Sequence, residues 1–237
     1  MFKNISVRIC FLTVFLFHFQ QTIHAQDDYT IVTQDLESWS RIGIKYKPNK
    51  KWSIGLDQQL RLNQNSSLIN QIITDLSAKY KFKSGLFFGT AIRYVADKNN
   101  DQSFDNDFRF NIDAGYKHNI KRLTLNYRIR YQNKNEIGLS QAEGDNVDKV
   151  LRLKVGADYN IKKWKLDPKF SAELFSDLTE SSDRLSKLRF TFGTDYSFNK
   201  KNELGVFYRL ERELNASYPK TTYIIGLNYT YTLKSKK

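Results

Sequence analysis

RLTLNYRIRYQN, from Arg122 to Asn133, sets Leu123, Leu125, Tyr127, Ile129 and Tyr131 on every second residue, with Arg122, Thr124, Asn126, Arg128, Arg130 and Gln132 between them. A period of two is the signature of a β-strand, because successive side chains point to opposite faces. The two faces of this strand have different chemistry, and two folds could use them. A soluble sheet would bury the leucines and wet the arginines. A transmembrane barrel would turn the leucines and tyrosines to lipid and enclose the arginines in its lumen.

The same alternation recurs along the chain. Ile42, Ile44 and Tyr46 alternate with Arg41, Gly43 and Lys45; Trp52, Ile54, Leu56 and Leu60 alternate with Gly55, Asp57 and Arg61. Further sets run from Ile72 to Phe82, Leu86 to Tyr94, Phe108 to Tyr116, Leu151 to Tyr159, Trp164 to Leu174, Leu188 to Phe198, Leu204 to Leu210 and Tyr223 to Leu233. Each strand is roughly 10–12 residues long, the length of a tilted bilayer crossing and longer than the usual strand of about 5–6 residues. The connections alternate between short ones, such as PNKK (48–51), KSG (83–85) and NKKN (199–202), and longer ones, such as 97–107, 133–148 and 212–220. Short turns on one side and long loops on the other are the pattern of an outer-membrane barrel.

On this reading Leu123, Leu125, Tyr127, Ile129 and Tyr131 face lipid. The opposite face supplies the candidate lumen residues: Arg61, Arg93, Arg109, Arg128, Arg130, Arg152, Arg189 and Arg209, with Asp57, Asp113, Glu173 and Glu211 as counter-charges. They suit either an anion-preferring constriction or a salt-bridged plug. A tyrosine precedes each short turn (Tyr46, Tyr80, Tyr116, Tyr159, Tyr196), and aromatic or leucine residues follow on the same face, Trp52 and Trp164 among them. With Tyr231 these form a candidate aromatic girdle, rings in lipid and hydroxyls among headgroups.

Eleven alternating segments are legible, and bacterial single-chain barrels use an even number. The expectation is an all-β, antiparallel up-and-down transmembrane barrel of about twelve strands, with YTIVT (29–33) as the extra one; ten is the alternative. A soluble secreted β-sandwich that acts as a binding module is the opposed reading.

Residues 1–25 read as a secretory signal, with Lys3 and Arg8 before the apolar run Ile9–Phe19 and Ala25 at the cleavage position. Residues 26–237 are then the barrel. Removing the signal also removes Cys10, His18 and His24, so the mature chain holds no cysteine and only His118 among histidines. That composition excludes a disulfide framework, thiol chemistry and Cys/His metal sites. The formal charge of +13 falls to +11 as Lys3 and Arg8 leave. The basic residues are spread along an exported chain, which argues against nucleic-acid binding.

The C-terminal Gly226-Leu227-Asn228-Tyr229-Thr230-Tyr231 resembles the Gly-x-x-aromatic-x-aromatic signal read by the barrel assembly machinery, with Gly226, Tyr229 and Tyr231 as its positions. Ile224 departs from it, where a polar residue is usual. Roughly residues 35–233 also resemble a family of uncharacterised outer-membrane β-barrel proteins common in Bacteroidetes, through Trp39 to Trp52 followed by Gln59-Leu60-Arg61-Leu62, and through LNYRIRYQNK and LRLKVGADYNIKKW. The resemblance implies a barrel in the outer membrane, in contact with its lipid and lipopolysaccharide, and implies no activity.

Catalytic chemistry finds little support. His118 stands at a short turn with no Ser/Asp constellation around it. Asp97, Asn99, Asp101 and Asp105 are spaced like a calcium loop, but Gln102 and Phe108 occupy the positions that need glycine and glutamate. Asp177, Glu180 and Asp183 are the carboxylates an enzyme would place at the outer rim. The expectation is a non-enzyme without metal or cofactor, either a structural or surface-interaction component or a narrow pore for a small solute.

Overall fold

The computed structural model of the protein describes residues 33–99, 103–138, 147–179 and 185–235. Residues 1–25, expected to be a secretory signal, lie outside these residues. The described part is built of eleven strands: β1 (Thr33–Lys47), β2 (Trp52–Asn63), β3 (Leu68–Lys81), β4 (Leu86–Lys98), β5 (Phe104–Ile120), β6 (Leu123–Glu136), β7 (Asp148–Tyr159), β8 (Asp167–Asp177), β9 (Leu185–Ser197), β10 (Asn202–Glu213) and β11 (Lys220–Lys234). Each pairs with the next in antiparallel register, and β1 pairs with β11 to close a barrel. A single closed sheet replaces the two packed sheets of the sandwich alternative. Eleven strands spaced at ~4.8 Å and tilted by ~40° form a ring roughly 22 Å across between backbones.

The strand count differs from the expected twelve, and the reason is the closure. β1 and β11 run parallel over their whole length, from Thr33 opposite Lys220 to Lys47 opposite Lys234. An odd number of strands can close only with one such pair, so the barrel is antiparallel everywhere except at this seam. Of the proposed extra strand 29–33, Thr33 is the first residue of β1 and the rest lies outside the described residues.

The distribution of side chains is inverted relative to a soluble domain. Apart from Pro219, only five apolar side chains are buried among the described residues (Ile73, Phe87, Ala91, Val95 and Ile224), against twelve polar or charged ones, including Asp75, Asn111, Arg152, Glu173 and Glu211. Ile42, Leu56, Ile92, Ile112, Ile129, Leu153, Val155, Phe192, Val206 and Ile225 are exposed on the outside. In the opening stretch Tyr127 and Ile129 are exposed, whereas Arg128 and Arg130 turn inward. The alternation therefore places apolar groups outside and charge inside.

Turn chemistry fixes the short-turn rim. Asn49 Oδ1 accepts the N–H groups of Lys51 and Trp52, both at 2.9 Å. Asn199 Oδ1 does the same for Lys201 at 2.8 Å and Asn202 at 2.9 Å. The repeated Asn-Lys-Lys at 49–51 and 199–201 is thus a repeated turn device, the asparagine side chain standing in for a backbone carbonyl. The turn expected over 118–121 is tighter: Ile120 still pairs with Leu123, which leaves only Lys121 and Arg122 between strands and puts His118 within β5. Lys121 has φ +54°. A lysine held there is strained where glycine is not. Lys121→Gly is expected to stabilise the barrel by about 0.5–1 kcal/mol, seen as a higher urea midpoint with unchanged slope.

At the other rim Gln64, Asn65 and Ser66 all have positive φ. The Asp35 carboxylate braces this turn, accepting the N–H groups of Gln64 at 3.3 Å and Asn65 at 3.0 Å, with Lys220 Nζ at 3.2 Å.

Candidate functional site: an arginine-lined lumen

Strand parity brings all twelve candidate lumen residues to the inner wall, since each alternates with an outward apolar neighbour. Their carboxylates are the organising centres. Glu173 on β8 meets three arginines from three strands: Arg128 Nη2 at 2.5 Å, Arg152 Nη2 at 2.9 Å and Arg189 Nη1 at 3.5 Å. Arg189 also reaches Glu211 at 2.6 Å. Asp113 takes Arg130 in a two-pronged contact at 2.6 and 2.8 Å. Asp57 pairs with Arg41, and Asp75 with Arg93, at 2.7 and 2.8 Å. Lys169 pairs with Asp195. Except for Lys169–Asp195 and Arg41–Asp57, which are partly exposed, these pairs are largely removed from solvent, where a charge without its partner is expensive.

Three of the candidate arginines are not neutralised in this way. Arg61, Arg109 and Arg209 make no ion pair with a described residue. Arg61 donates to Gln71 at 2.8 Å and Gln59 at 3.4 Å, and Arg209 donates to Thr191 at 3.1 Å. Both lie against Trp39, the Arg61 guanidinium 3.6 Å and that of Arg209 4.8 Å from the ring centroid. Such contacts are worth about 0.5–2 kcal/mol each and replace a counter-charge only in part. Trp39 itself is fixed by its indole N–H, which donates to Glu37 at 2.8 Å.

Two cavities open within the described lumen. The larger, about 1030 Å³, is lined by ten cationic side chains and five carboxylates. The smaller is about 340 Å³ and is bordered by Lys154, Lys169 and Asp195 among others. Phe207, Arg209 and Asn228 border both and so stand between them. The Arg209 guanidinium sits 4.6 Å from the Phe207 ring centroid, a cation on an apolar shelf between the two cavities.

Sequence reasoning passed over the inward aromatics. Trp39, Phe87, Phe175 and Phe207 share parity with Arg41, Arg93, Glu173 and Arg209, and that parity was the signal that could have found them. Phe175 backs Arg152 at 4.4 Å and Arg189 at 4.6 Å. Phe207 and Phe87 lie over Gly226 and Gly115 of the neighbouring strands, where an added Cβ would collide with the rings.

The other candidate positions distribute as follows. Tyr46, Trp52, Tyr116, Tyr159 and Trp164 are exposed near the short-turn rim, and Tyr80, Tyr196 and Tyr231 are half-buried there. Trp52 and Tyr80 form an edge-on pair with centroids 5.0 Å apart, and Tyr80 continues to Phe82 at 4.8 Å. Trp164 belongs to the β7–β8 connection rather than to a strand. Gly226 is an inward seam residue opposite Trp39; Tyr229 and Tyr231 lie opposite Ile42 and Ile44, and the Tyr229 hydroxyl donates to Asn202 at 2.5 Å. Ile224 is fully buried on the inner face. Asp97 and Asp105 are ladder partners in β4 and β5, hence not loop ligands, and Asp101 lies outside the described residues. Asp177 caps Thr179, whereas Glu180 and Asp183 lie outside the described residues.

No curated protein matches the chain in sequence. Among solved structures, the beta domain of the Bordetella autotransporter Brka is similar at 11% identity and a TM-score of 0.48, over 73% of this chain and 79% of that one. The family match covers residues 36–221, from the start of β1 to the start of β11, and so takes in nearly the whole ring: the chain belongs to the family described as protein of unknown function (DUF2490).

Proposed function

We propose that this chain is a non-enzymatic outer-membrane β-barrel whose arginine-lined lumen is a narrow, anion-preferring pore. The membrane placement is supported by the inverted distribution of side chains. Soluble monomers rarely expose contiguous apolar patches beyond a few hundred Å², whereas here the belt of exposed Ile, Leu, Val and Phe recurs on every strand. Lipid would cover that belt, and the tyrosines and tryptophans near the short-turn rim would sit at headgroup level. The apparent export signal and the Gly226–Tyr231 resemblance suit delivery through the barrel assembly machinery.

One observation favours a pore over a plug. Every lumen ion pair among the described residues joins strands no more than two positions apart around the ring, as Glu173 on β8 does with Arg128 on β6. The network therefore follows the wall instead of crossing the axis. The excess of cations in the larger cavity and Arg209 between the two cavities would favour anions.

Single-channel recording of the refolded protein in a planar bilayer tests this. Discrete steps with a reversal potential on the anion side are expected, and Arg209→Ala should enlarge the steps and move the reversal potential toward zero. Silence from protein that still shows heat-modifiable migration would sink the pore and redirect attention to surface interactions of the long loops.

A further inference from the structure

We propose that the larger cavity binds a multiply charged oxyanion, a phosphate or sulfate group on a small solute, with Arg61, Arg109 and Arg209 as its ligands. The inference deepens the pore reading by naming a solute, and it rests on that reading's water-accessible lumen.

The larger cavity is lined by ten cationic side chains against five carboxylates. Asp57, Asp75, Asp113, Glu173 and Glu211 are each engaged with other cations. Arg61, Arg109 and Arg209 line the same cavity and are left without an ion pair among the described residues. Arg61 shares that cavity with Arg93, Arg109, Arg189 and Arg209. Arg109 stands directly between Arg93 on β4 and Lys134 on β5's other neighbour, β6, so its cross-strand partners are also cations.

The unmet hydrogen-bonding capacity points the same way. The Nε atoms of Arg61 and Arg109 are buried without a partner. Asn111, two residues from Arg109 on the same face, is 1% exposed, with both amide atoms unpartnered. Buried polar groups are ordinarily satisfied, by water or another partner where the protein supplies none, so Arg61 and Arg109 keep donors that a bound solute could meet. Meanwhile Trp39 holds the Arg61 and Arg209 guanidiniums close together without neutralising either. Several planar guanidiniums facing one space match the several oxygens of a tetrahedral dianion, each able to take two N–H groups. A single halide could neutralise only one of them.

The test uses the refolded chain in detergent micelles and a chloride-free buffer. Sodium pyrophosphate is titrated by calorimetry, and arginines are labelled with phenylglyoxal and mapped by peptide mass. Saturable binding is expected, weakened at least tenfold in an R61Q/R109Q double variant that keeps heat-modifiable migration. Should that variant fail to fold, the wild-type labelling decides. Pyrophosphate should slow modification of Arg61, Arg109 and Arg209 and leave Arg122, exposed in its turn, unchanged.

Absence of saturable binding, equal binding by the folded double variant, or equal protection of Arg122 would overturn the site. Lipopolysaccharide micelles carry the same phosphate chemistry; protection by them in place of pyrophosphate would also overturn a solute site. The two proposals fail separately. A barrel that binds pyrophosphate but is silent in the bilayer loses the pore and keeps the site, whereas one that conducts without binding loses only the site.

Discussion

Glu173→Ala is expected to destabilise the barrel by about 3–5 kcal/mol, the cost of leaving buried charge without its partner. Glu173 is 4% exposed and is the shared acceptor for Arg128, Arg152 and Arg189. Its removal leaves Arg128 and Arg152 with no ion pair among the described residues and Arg189 with Glu211 alone. The same substitution adds net positive charge to the lumen, so any measured anion preference should rise. The urea midpoint of unfolding, followed by heat-modifiable migration, gives the first quantity, and the reversal potential gives the second. A loss below about 1 kcal/mol would mean that lumen water solvates the guanidiniums as well as the carboxylate does. Glu173→Gln keeps the shape and part of the hydrogen bonding, and should fall between.

Gly226→Val should be nearly as damaging, for a steric reason. Gly226 lies on the inner face of β11, between Trp39 on β1 and Phe207 on β10. The Phe207 ring occupies the space where a Cβ would project. A branched side chain must displace that ring or the seam strand, and overpacking of this kind costs about 1–3 kcal/mol. Phe207→Ala in the same chain should restore most of the loss. The pair separates two roles of the glycine: if Gly226 matters as an assembly signal, the second substitution rescues neither insertion nor folding; if it matters as the seat of the ring, it rescues both.

The wall chemistry was legible because it depends on parity alone. Tyr127 and Ile129 against Arg128 and Arg130 suffices to say which groups share a face, and strands too long for a soluble sheet suggest which face is outside. The inward aromatics were missed for a related reason. Phe175 and Phe207 follow the parity of Glu173 and Arg209, but an apolar residue on a polar face looks like an irregularity until the glycine or arginine beneath it is known. Ion-pair partners were not legible: Arg128 finds Glu173 two strands away, which no local pattern encodes. The expected count of about twelve came close to the eleven strands of the ring, and differs by one because the rule of even numbers assumes hairpin closure. The pairing of β1 with β11 is set by ring closure between segments about 190 residues apart in sequence, and neither strand carries a mark that distinguishes a parallel neighbour from an antiparallel one.

That parallel pair also separates the ends of the ring. Thr33 stands beside Lys220 at the long-loop rim, and Lys234 beside Lys47 at the short-turn rim. In a barrel of hairpins alone, the first and last strands meet head to tail and both ends leave from one side. Here a fusion placed ahead of β1 and one placed after β11 leave from opposite mouths of the same ring. A circular permutant could not be closed with a short linker, since the joining segment would have to travel the full height of the wall. Two small reporters, one at each end, would therefore read the two sides of whatever layer the barrel occupies from a single molecule.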